Sequence, residues 1–223
     1  MSISSNSQSL SQTISLIADE LRALAQNNLQ YTEDPYQIQR NQRVRELAAQ
    51  LQSLADTRPP EDIQRIFSQD LGYLTPMSVA EAAVVDAQGS VLLIQRADDG
   101  DWALPGGACD TGETPAEAAA REVWEESGYQ VEITRLLGVF DSRLVGTQSS
   151  RHLYHLLFAA VPVAGEARIS NETCDVRWFG WDEIPWEMLS PGHHRRLQFV
   201  MQWWLNPQTR AYFDWRSWQP PNK

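Results

Sequence analysis

The chain has 223 residues, 42% of them hydrophobic, and a formal net charge of -11, so it can build one large domain or two modest ones. The acidic balance argues against a nucleic-acid-binding protein, because contact with a phosphate backbone needs clustered Lys and Arg. No run is long and apolar enough to cross a membrane, and the first twelve residues lack a secretion signal. Because only two cysteines occur, no disulfide framework is expected. We expect a cytoplasmic protein with neither nucleic acid nor membrane as a partner.

The first seventy residues show the spacing of amphipathic helices. In the first helix, apolar residues recur at intervals of three and four: Leu10, Ile14, Ile17, Leu21 and Leu24. Asp34 and Pro35 suit the start of a second helix, whose apolar positions are Val44, Leu47, Leu51 and Leu54. A short third helix follows Pro60 and contains Ile63, Ile66 and Phe67. Three such helices have a thin core, so we expect their apolar faces to pack on the rest of the chain or on a second copy.

The remainder of the chain alternates between strand patterns and helical patterns. Residues 79–86 and 91–96 are apolar-rich runs joined by a turn sequence, which predicts a β-hairpin. Further strands are predicted at 102–104, 131–141, 152–163 and 175–181, and a closing helix at 191–205. The run LYHLLFAAV indicates a central strand covered on both faces. We expect His193 and His194, at the start of the closing helix, to face solvent. The pattern predicts an α/β fold with a mixed sheet between helices.

A glycine-rich loop and a short helix occupy Leu104–Tyr129, LPGGACDTGETPAEAAAREVWEESGY. Thr114, Pro115 and Glu117 have the residue types of a capped helix N-terminus, and Gly128 suits a left-handed helix end. The sequence therefore predicts a helix from about Pro115 to Ser127.

Three glutamates of this helix lie on one face, because Glu122, Glu125 and Glu126 are related by three and four residues. Their charges repel one another and also face the negative end of the helix dipole. Two interpretations follow from the helix alone. One is a solvated acidic face; the other is a site where the carboxylates converge on a hard divalent cation such as Mg2+.

Nine positions of this stretch follow the spacing G-x5-E-x7-R-E-U-x-E-E-x-G-U: Gly107, Glu113, Arg121, Glu122, Val123, Glu125, Glu126, Gly128 and Tyr129. This spacing resembles the Nudix box and favours the metal site over the solvated face. Tyr129 departs from the family pattern, which usually has an aliphatic residue there, and this change affects packing more than chemistry. The resemblance implies the Nudix α/β/α sandwich, preceded here by a small all-helical domain.

The stretch Glu20–Ala48 looks like the N-terminal extension of Nudix hydrolases that act on nucleoside diphosphates linked to a second group X, such as CDP-choline and UDP-linked diphosphatases. In that group the extension helps to form a homodimer and borders the substrate pocket, so the resemblance implies a homodimer. We divide the chain into a helical N-terminal domain (1–72), a Nudix catalytic domain (73–205) and an aromatic C-terminal tail (206–223).

The reaction implied by the resemblance is Mg2+-dependent hydrolysis of the diphosphate bridge in a nucleotide-derived small molecule, with Mn2+ as an alternative ion. Its products would be a nucleoside monophosphate and phosphorylated X. The implied metal ligands are the carboxylates and loop carbonyls of Glu122, Glu125, Glu126, Gly107 and Ala108. Arg121 would orient these carboxylates, and Glu113 would support the ligands or hold a water molecule.

Other residues are candidates for the general base and for substrate contacts. Nudix enzymes often use a further carboxylate from a loop outside the box, and here Glu166, Glu172 and Asp175 compete for that role. We favour Glu172, because its segment SNETCDVRWF precedes a strand as the base-bearing loop of the family does. Contacts with substrate are considered for Arg96, Arg143 and Trp102, although surface pairing and core packing explain these three residues equally well.

Two other functions are alternatives to hydrolysis of X-linked nucleoside diphosphates. One is hydrolysis of ADP-ribose or nucleoside triphosphates, although the proline that follows the box in many ADP-ribose enzymes is absent, since the first proline beyond Tyr129 is Pro162. The other is a Nudix-fold metabolite sensor without catalysis, which the intact set of glutamates disfavours. The sequence identifies neither the base nor X.

Overall fold

The computed structural model describes residues 10–69, 72, 74–110, 112–147, 149 and 151–216. These residues form two compact units. The first contains the chain up to Met77 together with Ser142–Leu153, and the second contains Ser78–Asp141 and the chain from Tyr154 onward. The N-terminal unit is therefore discontinuous in sequence, whereas the domain prediction treated it as one segment ending at residue 72.

The elements are, in chain order, α1 (Leu10–Leu29), α2 (Pro35–Ser53), α3 (Pro60–Ser68), β1 (Met77–Val84), β2 (Val91–Arg96), β3 (Trp102–Ala103), β4 (Gly106–Ala108), α4 (Pro115–Ser127), β5 (Tyr129–Asp141), α5 (Ser142–Val145), β6 (Leu153–Gly165), β7 (Thr173–Phe179), α6 (His193–Leu205) and β8 (Tyr212–Phe213). The predicted α/β fold with a helical N-terminal region is confirmed. No helix among the described residues is long and apolar enough to cross a bilayer.

The N-terminal unit has a small core between α2 and α3, made of Ala48, Ala49, Ile63 and Phe67. As predicted, α2 begins at Pro35, and the carboxylate of Asp34 accepts a hydrogen bond from the backbone N–H of Tyr36. The predicted apolar faces of α1 and α2 are only partly inward. Five of the predicted apolar positions are exposed, namely Leu10, Ile17, Leu24, Leu47 and, just past the end of α2, Leu54.

The strands of the second unit form two sheets, whereas the sequence pattern predicted one. The five-stranded sheet has the order β4-β1-β6-β5-β8 and is mixed, because β5 pairs antiparallel with β6 and parallel with β8. The three-stranded sheet has the order β3-β2-β7. The predicted β-hairpin is therefore wrong: the turn closes with a single bridge between Val85 and Val91, after which β1 and β2 enter different sheets. The central position predicted for β6 is confirmed.

One core cluster brings β1 and α4 together. Alternate residues of β1, Ala80 and Ala82, pack with Ala118 and Ala119 of α4. Because all four side chains are small, the helix backbone can lie close to the sheet. The antiparallel pairing of β1 with β4 then places Gly106 opposite Glu81 and Gly107 opposite Ala80. The glycine loop is thereby fixed beside the acidic helix.

The closing helix and the tail complete the second unit. His194 is exposed as predicted, but His193 is buried, which corrects the expectation that both histidines face solvent. In the tail, Tyr212 stacks on Phe140 with the ring centroids 4.3 Å apart, so this part of the tail packs on β5. Trp218 lies outside the described residues.

Candidate active site

Two carboxylates of α4 lie against the glycine loop. One oxygen of Glu126 accepts a hydrogen bond from the backbone N–H of Gly106 at 2.8 Å. The carboxylate of Glu122 lies against Gly107 so closely that a β-carbon there would be 2.5 Å from its nearest oxygen. Only glycine leaves room for this approach, so the loop and helix of the box pack as one structure.

The environment of these carboxylates is unusual for surface glutamates. Glu122 and Glu126 are 8% and 9% exposed, which excludes the solvated acidic face for this pair. Burial raises the pKa of the Glu126 carboxyl to about 8, and the charges of Glu122 and Glu172 add to this effect against the opposing Gly106 N–H. Burial also raises the pKa of Glu122; the ion pair with Arg121 opposes this shift, and the charges of Glu125 and Glu172 reinforce it.

Arg121 joins the glutamates of the box to one another. Its Nε and Nη2 donate to the two carboxylate oxygens of Glu113 at 3.1 and 2.8 Å. Its Nη1 donates to Glu122 at 2.8 Å and to Glu125 at 2.9 Å, while Nη2 also reaches the carbonyl oxygen of Ala108 at 3.2 Å. These contacts agree with the orienting role predicted for Arg121.

The partner of Arg121 at the helix start is Glu113. Glu117 instead forms the predicted capping box, in which its carboxylate accepts from the backbone N–H of Thr114. Hydrogen bonds from Arg121 and from the backbone N–H of Asp110 lower the pKa of the Glu113 carboxyl to about 2. Glu113 is therefore a permanent anion that fixes the guanidinium.

The acidic side chains differ in how well they could serve as ligands of a divalent cation. Within the described ranges, no three His, Cys, Asp or Glu side chains are arranged around a common metal position. The predicted convergence of three carboxylates is reduced to two, because Glu125 is exposed and paired with Arg121. Glu122 and Glu126 nevertheless fit a hard cation, since they are buried, mutually repelling oxygen donors beside the exposed backbone of the loop.

A cavity of about 220 Å3 opens beside Glu126 and includes one predicted base, Glu172. The other lining residues are Arg96, Ala97, Asp98 and Asn171. The carbonyl oxygen of Glu172 accepts from the backbone N–H of Ala97 at 2.9 Å, and Thr173 Oγ1 donates to the carbonyl oxygen of Glu126 at 2.9 Å. These hydrogen bonds hold the Glu172 loop beside the acidic helix.

The two competing carboxylates lie in other settings. Asp175 forms a 2.5 Å ion pair with Arg177. Glu166 is exposed, and its backbone carbonyl lies against Gly128 at the end of α4.

The three residues considered for substrate contact have different surroundings. Arg96 lines the cavity and pairs with Asp98 at 2.5 Å. The ring of Trp102 is buried edge-on against Phe179, with centroids 4.9 Å apart, which agrees with core packing. Arg143 is buried in the N-terminal unit, where it donates to Asp19 at 2.7 Å and to the carbonyl of Ser149 at 2.6 Å. Its contacts agree with structural ion pairing.

Sequence reasoning did not single out several residues near this site. Asp98 and Asn171 are common loop residues, and nothing in their spacing marks them. Glu81 did carry a signal, because it is a single charge within an apolar strand, SVAEAAVV. Glu81 is paired with Gly106 across the strands β1 and β4. It is buried, as are His155, His193 and Arg196.

Known proteins similar to this chain cover both of its parts. Residues 75–203 match the NUDIX domain, and residues 12–67 match the "UDP-X-like, N-terminal oligomerisation domain". YjhB of Bacillus subtilis, which carries the name ADP-ribose pyrophosphatase provisionally, is 30% identical over 200 residues that cover 88% of this chain and 95% of YjhB. An ADP-ribose pyrophosphatase of Methanocaldococcus jannaschii is 30% identical over 59% of this chain and 76% of its own.

Solved structures show the same fold. A UDP-X diphosphatase aligns over 92% of this chain and 99% of its own with a TM-score of 0.58 and 24% identity. An ADP-ribose pyrophosphatase from Streptococcus suis aligns over 63% of this chain and 97% of its own with a TM-score of 0.51 and 26% identity. With the box intact and the NUDIX match spanning more than half of its length, the chain belongs to the Nudix hydrolase family.

Proposed function

We propose that this enzyme hydrolyses the diphosphate bridge of a nucleoside diphosphate linked to a group X, with Mg2+ as its cofactor. The products are a nucleoside monophosphate and phosphorylated X. The observation that carries the proposal is the pair of buried carboxylates, Glu122 and Glu126, packed against the glycine loop with Glu172 at the adjoining cavity. The N-terminal match to a UDP-X-like domain supports the same substrate class.

The residues of the box have two roles, to bind the metal ion and to position the residues that bind it. Glu122 and Glu126, with a loop carbonyl at Gly107 or Ala108, provide the hard oxygen donors that Mg2+ prefers. A bound Mg2+ supplies charge neutralisation at the diphosphate and a more acidic water. Arg121 keeps Glu122 and Glu125 in fixed positions, and Glu113 keeps Arg121 in place through its two-point contact.

Glu172 is the proposed general base. It is exposed, so water can reach it, and it lines the same cavity as Glu126. Its charge acts on both Glu122 and Glu126. Arg96 lines this cavity as well and is the proposed contact for a phosphate oxygen, since a guanidinium matches phosphate geometry.

ADP-ribose is the second candidate substrate, because YjhB and the Methanocaldococcus jannaschii relative carry ADP-ribose pyrophosphatase names. ADP-ribose is itself a nucleoside diphosphate joined to a second group, so the same bond would break. The candidates differ in the recognition of base and X and not in the chemistry.

The N-terminal unit is the proposed dimerisation surface. Leu10, Ile17, Leu24 and Tyr31 recur every seven residues along α1 and the turn after it, and each is exposed. Such a stripe of large apolar side chains is typical of a helix seam that packs on another helix. The match of residues 12–67 to an oligomerisation domain makes a second copy of this chain the proposed occupant.

A substrate screen tests the reaction. With Mg2+ present, CDP-choline, UDP-sugars, ADP-ribose and nucleoside triphosphates are supplied in parallel, and both products are identified by mass spectrometry. We expect a nucleoside monophosphate and phosphorylated X from at least one diphosphate-linked substrate, with EDTA and Glu122→Gln each abolishing turnover. Release of pyrophosphate from triphosphates alone would assign the enzyme to a different substrate class.

The high pKa of Glu126 predicts a pH-dependent stability. Its pKa is about 8 in the folded protein and 4.5 ordinarily, so between these values the folded state holds a proton that the unfolded state has lost. The contribution of this group to stability is therefore present at low pH and is lost as pH rises toward 8. In EDTA, raising the pH from about 5 to 8.5 should lower Tm more in the parent than in Glu126→Gln.

Addition of Mg2+ should reverse this loss, because the ion takes the place of the proton. The Mg2+-induced rise in Tm should be larger at pH 8.5 than at pH 6, and it should be absent in Glu126→Gln. The matched control is Glu132→Gln, which changes an exposed carboxylate on β5 and should behave as the parent. Identical pH profiles for the parent and Glu126→Gln would contradict the prediction.

Substitution of the proposed base should separate chemistry from metal binding. Glu172→Gln should lower kcat about a hundredfold or more, since general bases typically contribute that much. It should leave the Mg2+-induced rise in Tm in place. Glu166→Gln and Asp175→Asn serve as controls and should remain close to the parent. Activity of Glu172→Gln within about twofold of the parent would remove it from the mechanism.

Charges placed in the α1 stripe should dissociate the dimer. We expect the parent to sediment as a dimer at micromolar concentration and Ile17→Asp/Leu24→Asp as a folded monomer, because burying two carboxylates at the seam is costly. The control Gln64→Asp/Ser68→Asp adds the same charge at exposed positions of α3 and should stay dimeric. A monomeric parent, or a dimeric stripe variant, would refute this assignment.

A further inference from the structure

A group of buried polar side chains lies on the face of β1 that points away from α4. Glu81 alternates with Ala80 and Ala82, whose side chains pack on α4, so its own side chain is on the opposite face. It is 3% exposed and is surrounded by His155, His193 and Arg196, which are also buried. The chemistry proposed above uses none of these residues.

Arg196 is the centre of this group. Its Nε lies 2.8 Å from one oxygen of Glu81, as a close ion pair that is not aligned as a hydrogen bond. Its Nη2 lies 3.1 and 3.2 Å from the two ring nitrogens of His193. The other oxygen of Glu81 lies 2.8 Å from Nδ1 of His155. One guanidinium on α6 thus contacts both a strand residue and the first residue of its own helix.

Burial and neighbouring charges determine the protonation states of Glu81 and His193. Burial alone would raise the pKa of the Glu81 carboxyl, but the charges of Arg196 and His155 outweigh it and hold that pKa well below its usual range. Burial and the neighbouring Arg196 lower the pKa of His193 to about 3, so this imidazole is neutral. With its Nδ1 3.3 Å from the carbonyl of Ser190, His193 is placed to donate there and to accept from Arg196 through Nε2.

The group reaches the metal-binding loop at two points. A β-carbon at Gly106 would lie 2.6 Å from Cγ of Glu81, so the Glu81 side chain packs directly on the loop backbone. The N–H of that same Gly106 is the donor to Glu126. At the other end, Ser190, which accepts from His193, donates its backbone N–H to the carbonyl of Trp102 at 2.9 Å. Arg196 therefore links the two ends of the segment from Trp102 to Gly106.

A contribution to stability is a weak explanation for this group. Buried ion pairs often stabilise a fold no better than apolar side chains of similar volume, because both charges lose their hydration. Partners outside the first ligand shell, by contrast, commonly change metal affinity or activity by about 10 to 100-fold when they are removed. Because Glu81 packs against Gly106, the group fits a role as such an outer partner of the metal site.

We propose that Arg196, together with Glu81 and His193, is a positioning network for the metal-binding loop. It fixes the backbone of Gly106, and through its N–H it fixes the carboxylate of Glu126. The inference rests on the proposed function, in which Glu126 is a metal ligand. None of the three network residues touches the substrate; each acts through the loop.

The test removes both charges together, because a single substitution would leave the other charge buried without the opposite charge that lies 2.8 Å from it. Glu81→Gln/Arg196→Met keeps the approximate side-chain volumes. The matched control is Val200→Ala, which opens a cavity at a fully buried position of the same helix, one turn further on. Three quantities are measured: amide hydrogen exchange of residues 102–108, the affinity for Mn2+ by titration, and kcat with KM.

In the double variant, exchange of the Gly106 amide should accelerate at least about tenfold and Mn2+ affinity should weaken about tenfold. We expect kcat to fall, with KM changed far less. Val200→Ala should lower Tm while leaving loop exchange and Mn2+ affinity within about twofold of the parent. Parent-like exchange and affinity in the double variant would overturn the proposal, as would equal losses in Val200→Ala.

Failure of the proposed function has a different outcome. If the parent cleaves no diphosphate-linked substrate, the reaction assignment is wrong. The exchange rate of the Gly106 amide still decides whether the network positions the loop, since that measurement needs neither substrate nor metal.

Discussion

Carboxylates approach the backbone of Gly106 and Gly107 from opposite faces of β4, and the candidate active site depends on this close approach. Glu122 lies against Gly107 on one side, and Glu81 lies against Gly106 on the other. A side chain at either position would displace one of them. The approach is also possible because alanines line both β1 and α4, which lets the acidic helix lie near the sheet. Packing of small residues thus sets the geometry of the charged ones.

The glutamates of the site have opposite electrostatic environments, and this separates their roles. Glu113 accepts hydrogen bonds from Arg121 and a backbone N–H, and its pKa falls to about 2. Glu126 is buried among other acids, and its pKa rises to about 8. The first is a structural anion that holds a guanidinium, and the second is an unstable anion that gains from a cation. Carboxyl groups of one type therefore take different functions according to their neighbours.

Local signals explain the parts of the fold that could be predicted. The bounds of α4 match the sequence prediction, because Thr114, Glu117 and Gly128 act within one turn of each end. The two-sheet arrangement could not be predicted, because a turn sequence indicates where the chain reverses but not whether the flanking strands pair with each other. The spacing of the box likewise located Glu122 and Glu126 but not the cavity residues Asp98 and Asn171, which come from separate loops.

Long-range partners account for the histidine and arginine assignments that failed or changed. His193 stands at a helix start, where polar residues are usually solvated, but it is buried between Arg196 of its own helix and Glu81 of β1. For Arg143 the sequence left a phosphate contact and ion pairing equally open, and the structure pairs it with Asp19. In each case a carboxylate on another element, Glu81 for His193 and Asp19 for Arg143, belongs to the setting, and no periodic pattern marks it.

The discontinuity of the N-terminal unit affects how such an extension can be acquired or lost. Ser142–Leu153 lies between two strands of the catalytic sheet, yet it belongs with the helices that precede that sheet. A chain that began after Met77 would retain Arg143 in this segment but lose the carboxylate of Asp19, which lies 2.7 Å from its Nε. The ion pair therefore joins α1 to the segment between β5 and β6, and the leading helices and this segment form one unit although Ser78–Asp141 lies between them in the chain.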